Sequence, residues 1–263
     1  MKLYYSDTMM TPTHPTLIFT TLALILGLGA WTLNPIDPAP LSFSDEFSFL
    51  GIVHGKNVLS SLLLSAVGVW GLMGRPRFDH GRDVLISMVI CCLSMILAGG
   101  SSVWFHLVET QLAQSVTHGL ISLVLLNASF ALIASQLVLR GRWWLLGSLQ
   151  LLSVGTVAYQ HVYHDQRFLL MSEVFVILLM IFTLLRVWKL SASIYLLFCT
   201  MSLGLGWLCG AFDIKINVAT AYMISGHTLQ HICWILGAAC WLRYFILLRP
   251  RDLAQLLNKS PMT

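Results

Sequence analysis

Eight apolar runs, each close to the length needed to cross a bilayer and joined by short polar turns, constrain this chain more than any other feature. A membrane interior asks for roughly 20 consecutive apolar residues per helix. It admits only helices or closed barrels, because unpaired backbone groups are too costly in hydrocarbon. The runs are read at 16–33, 57–73, 84–106, 112–139, 143–159, 168–187, 191–212 and 218–248. With 57% hydrophobic residues, 10% charged residues and a mean hydropathy of +0.80, little sequence is left for a water-soluble domain. The expectation is an all-α, polytopic membrane helix bundle.

Lys and Arg accumulate on the cytoplasmic side of spans. With the N-terminus inside, Lys2, Arg75, Arg77, Arg82, Arg140, Arg142, Arg186, Lys189, Arg243, Arg249, Arg251 and Lys259 fall at inner ends, and only Lys56, Arg167 and Lys215 fall outside. This 12 to 3 division of the 15 basic residues supports both the span count and the direction. The net charge of +4 therefore reports topology, and no nucleic-acid partner is expected. The first run has a single basic residue, Lys2, before it and a poor cleavage site at Gly27-Leu28-Gly29-Ala30-Trp31, so it reads as a retained helix rather than a signal peptide. A proline-rich stretch, residues 34–40, separates it from the rest. All six cysteines fall within the runs, which implies no disulfide framework.

Ionisable side chains inside spans are disfavoured and mark function by default. Three histidines meet that description: His106 in Ser102-Val103-Trp104-Phe105-His106, and His227 with His231 in Ser225-Gly226-His227-Thr228-Leu229-Gln230-His231. A four-residue step puts paired side chains on one helix face, roughly 6 Å apart along the axis. His227 and His231 can grip one metal ion, and His106 from another helix can supply a third ligand. That is the count of a catalytic zinc site, with a fourth position left for water. The competing reading is imidazoles bonded to neighbouring helices. Ser102, one turn before His106, can hold a bound water or a developing oxyanion, or bond a backbone carbonyl where no metal is held. Other polar candidates, Glu109, Thr117, His118, His161, His164, Asp165 and Asp213, share the outer half.

The Ser-x-x-x-His of Ser102 and His106, followed far downstream by the His-x-x-x-His of His227 and His231, resembles the alkaline ceramidases and their bacterial relatives, within the superfamily that includes the adiponectin receptors. Asn57-Val58-Leu59-Ser60-Ser61-Leu62 is similar to the family's Asn-x-x-Ser-Asn-Leu, and Ile224-Ser225-Gly226-His227-Thr228-Leu229 to the bacterial Ser-Gly-His-Thr-Leu. His164-Asp165-Gln166-Arg167-Phe168 resembles a Gly-Asp-x-Arg-x-Tyr element at the same place. The resemblance runs from about residue 45 to residue 248, seven spans, with the first helix as an addition. It implies a seven-helix core holding zinc through three histidines, with Ser and Asp beside a zinc-activated water that hydrolyses the amide of ceramide-like N-acyl lipids. By position, His106, His227 and His231 are the implied ligands and Ser102 the hydroxyl.

The family places an Asp eleven residues after the first His, and Thr117 stands there, followed by His118. Threonine cannot act as a general base near neutral pH, so Thr117 holds a catalytic position without its chemistry. Glu109, three residues after His106, His118 and Asp213 are the candidates to replace the carboxylate. Val53 stands where the eukaryotic relatives have a calcium-binding Glu, so calcium is not expected.

The expected function is an intramembrane zinc-dependent amidohydrolase acting on membrane lipids of the ceramide type. Its alternative is a catalytically impaired, metal-binding receptor-like or lipid-binding protein. A haem bundle fares worse, since His227 and His231 share a face, and no lysine lies mid-span to bind retinal. The expected organisation is an N-terminal helix and loop at 1–44, the ceramidase-like domain at 45–250 and a cytoplasmic tail at 251–263, in a bacterial inner membrane with both termini cytoplasmic and the metal site towards the outside. Oligomeric state is left open. One geometric condition attaches: if the last span begins at residue 218, His227 lies nine residues, roughly 14 Å, below its end. The three imidazoles then meet only if residues 217–222 partly leave the helix or the third span continues past His106.

Overall fold

Apolar segments in hydrocarbon close their backbone hydrogen bonds internally, and this chain does so as helices. The computed structural model describes residues 51–74, 82–136 and 143–248, with positions 28, 29, 32 and 34. Most of the N-terminal segment 1–44, the basic turn at 75–81 and the tail from 251 lie outside the described residues. The described elements are α1 (Gly55–Met73), α2 (Arg82–Val108), α3 (Gln111–Gln136), α4 (Trp143–Tyr163), α5 (Arg167–Val187), α6 (Ser193–Ala211), the short α7 (Asp213–Ala219) and α8 (Gly226–Leu247). Six of these, all but α4 and α7, are long and apolar enough to cross a membrane. Over the described residues the fold is all-helical, and the chain is a multi-pass membrane protein.

The six spans pack in a closed ring, α1 on α2, α2 on α3, α3 on α5, α5 on α6, α6 on α8 and α8 back on α1. Close approach within the ring depends on small residues, as expected where lipid supplies no hydrophobic drive between helices. Gly99 of α2 is one: a side chain there would strike the Ser61 carbonyl and Ser65 of α1. Hydroxyls in the spans are absorbed locally, with Ser129 donating to the Leu125 carbonyl and Thr200 to that of Leu196.

α4 lies outside the ring against α3, joined to it by polar contacts. The Gln150 amide donates to Asn127 at 2.9 Å, Gln160 meets His118 at 2.7 Å, His161 meets Ser115 at 3.4 Å, and Gln111 meets His164. Polar pairs of this kind join helices where apolar packing alone gives little preference.

The main hydrophobic core fills the end of the ring where α2 and α3 exchange Met88, Met95 and Leu132 with Met180 and Leu196 of α5 and α6 and with Trp241 and Phe245 of α8. The opposite end, where α1 and α8 begin and α2 ends, is polar. Lys56, Arg167 and Lys215 lie at that polar end, while Arg82, Arg186 and Arg243 lie at or near the other.

Candidate metal centre

The last span begins later than hydropathy alone suggests. Residues 213–219 form the separate helix α7, the chain then turns with Ala221 and Tyr222 at φ 51° and 64°, and α8 starts at Gly226. Thr220 stabilises the turn through its hydroxyl, which donates to the Ile224 carbonyl at 2.8 Å. The geometric condition is therefore met, because His227 lies in the first turn of α8 rather than deep within a long helix. Ser225 caps α8 by accepting from the Thr228 amide at 3.0 Å. Asp213 Oδ1 accepts from the His227 amide at 2.7 Å, so a carboxylate sits at a helix N-terminus, where it satisfies an orphan donor and opposes the dipole. Gly226 permits this folding back: a Cβ there would collide with the Cys209 carbonyl and the Asp213 backbone.

His106 occupies the last turn of α2, only 2% exposed, and faces the ring interior rather than lipid. Its ring centroid stands 5.3 Å from that of His227 and 5.4 Å from that of His231, and those two are 4.5 Å apart. One ligand nitrogen from each lies within 4.8 Å of the others. Tetrahedral zinc with bonds of about 2.05 Å needs nitrogens roughly 3.4 Å apart. Modest ring rotations close that difference, so the donor set fits a zinc ion. Three neutral nitrogen donors with one open side also fit better than a carboxylate-poor site would suit calcium or magnesium.

The surroundings of His231 fix how it presents itself. Ser60 Oγ lies 2.9 Å from His231 Nδ1 and donates its single proton to the Asn57 carbonyl at 2.9 Å. With its proton on that carbonyl the hydroxyl accepts from the imidazole, and a His231 protonated at Nδ1 offers Nε2 as the ligand atom. Ser61 likewise donates to the Asn57 carbonyl at 2.7 Å and stands 2.8 Å from Ser102 Oγ. With the Ser61 proton on that carbonyl, Ser102 donates to Ser61 and its lone pairs are left to accept from a water. Asn57, fully buried, completes the frame by accepting at Oδ1 from the Thr228 hydroxyl at 2.6 Å. One short segment of α1 thereby orients both Ser102 and the first turn of α8.

Thr117 is elsewhere engaged: its hydroxyl donates to the Ala113 carbonyl at 2.9 Å, one turn back on α3. His118 bonds Gln160 and lies close enough to His227 for their charges to interact. Asp165 is taken up in the α4–α5 turn, paired with Arg167 at 2.6 Å and bonded by the Tyr159 hydroxyl at 3.2 Å.

A scan against protein-family models matches no family, and a search among curated proteins finds no match.

The feature that sequence reasoning missed is His54. Its Nε2 meets Glu109 Oε1 at 2.6 Å, and its ring stands 6.5 Å from that of His106. His54 precedes α1 and Glu109 follows α2, both in left-handed backbone at φ 54° and 50°. Such conformations cost a non-glycine residue roughly 1–2 kcal/mol, and strain of this kind concentrates at functional sites. Nothing in the sequence pattern marks His54, a lone polar residue in the Gly51–Gly55 loop.

Beneath the histidines lies space. A small hollow bounded by Ser60, Ser61, Ser102 and His231 shares the walls Leu64, Ile121 and Trp234 with an apolar cavity that reaches Met95, Val176, Met180 and Trp241.

Proposed function

We propose that the protein is an intramembrane zinc-dependent amidohydrolase that cleaves the amide bond of ceramide-like N-acyl lipids. The observation that carries the reading is the convergence of His106, His227 and His231 from two helices on one point beside Ser102. Zinc held there supplies Lewis acidity for an amide carbonyl and an activated water near neutral pH. Ser60 orients His231, Ser102 accepts from the attacking water, and the large cavity below receives the acyl chain.

The carboxylate that the resemblance places at position 117 has its counterpart in Glu109, held by His54 beside His106. In this reading Glu109 takes the water proton and passes it to the leaving amine. The ring of six spans becomes a seven-helix core when α4 is counted as a span whose polar residues face α3. In this reading both termini are cytoplasmic in a bacterial inner membrane, which the basic residues at the end away from the histidines support.

A second reading, a metal-binding receptor-like protein without turnover, is favoured by Thr117, whose hydroxyl is committed to its own helix. Fatty-acid release from ceramide in lipid nanodiscs separates the two. Release by the wild type that is lost in His227→Ala supports hydrolysis. Zinc bound with no release, and release gained in Thr117→Asp, supports the receptor-like reading.

A further inference from the structure

The cavity beneath the histidines is apolar except at one place, where Glu173 of α5 forms part of its wall. An ionisable group within a span is expensive and rarely idle. Glu173 is far from the His54–Glu109 pair in the chain, and the hydrolysis scheme makes no use of it. Trp207 of α6 lines the same cavity. The polar capacity of the carboxyl stands in the wall of a space otherwise lined by aliphatic, sulfur and aromatic side chains such as Leu125, Val176, Leu203 and Trp234. Leaving that capacity unmatched around a bound alkyl chain costs the desolvation of a polar group.

We infer that Glu173, in the cavity wall with Trp207, recognises a hydroxyl carried part-way along the hydrocarbon chain of the bound lipid. The inference rests on the reading of the cavity as the room for that chain. The hollow at Ser102 and His231 adjoins this cavity across the shared walls Leu64, Ile121 and Trp234, so a chain whose head lies at Ser102 and His231 is directed past Trp234 towards Glu173. A hydroxyl fits better than an ammonium group. Both donate to a carboxyl, but a cation entering this cavity gives up far more hydration, and no other polar wall repays it. A chain without a hydroxyl leaves the carboxyl facing methylene groups, so selectivity arises from the penalty on plain chains as much as from the bond to hydroxylated ones.

Binding of free fatty acids to the purified full-length protein in nanodiscs, followed by tryptophan fluorescence, tests this without requiring zinc or turnover. The probes are stearic acid, stearic acids hydroxylated at positions 2, 3, 10 and 12, and 12-aminostearic acid. The expected result is about tenfold tighter binding of one positional hydroxy isomer over stearic acid. That preference should persist in Glu173→Gln, disappear in Glu173→Leu, and leave zinc content unchanged in both. Equal binding of all isomers by the wild type overturns the inference, as does a preference that survives Glu173→Leu or tighter binding of the amine. Should Glu173→Leu fail to fold, the isomer series on the wild type and Glu173→Gln decides alone. Loss of lipid hydrolysis with the isomer preference intact would refute the proposed reaction and leave this inference standing.

Discussion

Ser60 and His231 face each other across the α1–α8 contact with Oγ 2.9 Å from Nδ1, and the serine proton is already given to the Asn57 carbonyl. With the serine proton on that carbonyl, the imidazole is held in the tautomer that offers Nε2 to a metal. Removing such an orienting partner typically weakens metal binding about 10–100-fold. Ser60→Ala is expected to lose zinc affinity by that factor in a competition titration with a chromophoric chelator, while Ser60→Thr, which keeps the hydroxyl, stays near the wild type.

Glu109 and His54 close the polar end of the bundle from two different turns. If Glu109 accepts the proton, Glu109→Gln retains zinc and loses fatty-acid release by roughly 10²–10⁴-fold. Paired metal analysis and ceramide turnover check this. Undiminished release would assign the proton to another group.

The Asn57–Thr228 bond is short, buried and joins the first turns of α1 and α8. Asn57→Ala and Thr228→Val are each expected to destabilise the protein by about 1–3 kcal/mol, since each strands a buried partner. The double variant should cost clearly less than the sum. Equilibrium unfolding in mixed micelles measures the coupling.

Gly226 and Gly155 make a matched pair for backbone packing. A methyl group at 226 meets the Cys209 carbonyl and the Asp213 backbone, whereas one at 155 meets nothing within 4 Å. Gly226→Ala should lower stability by roughly 1–3 kcal/mol and weaken zinc binding. Gly155→Ala should be neutral or stabilising by up to about 1 kcal/mol. Thermal unfolding with zinc titration distinguishes them.

Hydropathy was sufficient to locate most helices because a span and its apolar run are nearly the same object. The run at 84–106 becomes Arg82–Val108, and that at 168–187 becomes Arg167–Val187. It failed at 218–225, where Val218, Ala219 and Ile224 continue the apolar composition while Thr220, Ser225 and Asp213 end one helix and cap the next through side-chain bonds. Caps are properties of a few polar atoms and leave average hydropathy unchanged. The histidine cluster was legible for a different reason, since helical spacing alone puts His227 and His231 on one face. His54 was not, because its importance arises only when two distant turns meet. Glu173 was equally silent: a single acid in a long run carries no pattern until the cavity around it is seen.

The most direct test of the central claim is the metal content of the purified protein, by plasma mass spectrometry, for the wild type, His106→Ala and His227→Ala. About one zinc per chain in the wild type, lost in both variants with helicity retained, is expected of a three-histidine site. Negligible zinc in all three, or equal zinc in all three, would contradict it.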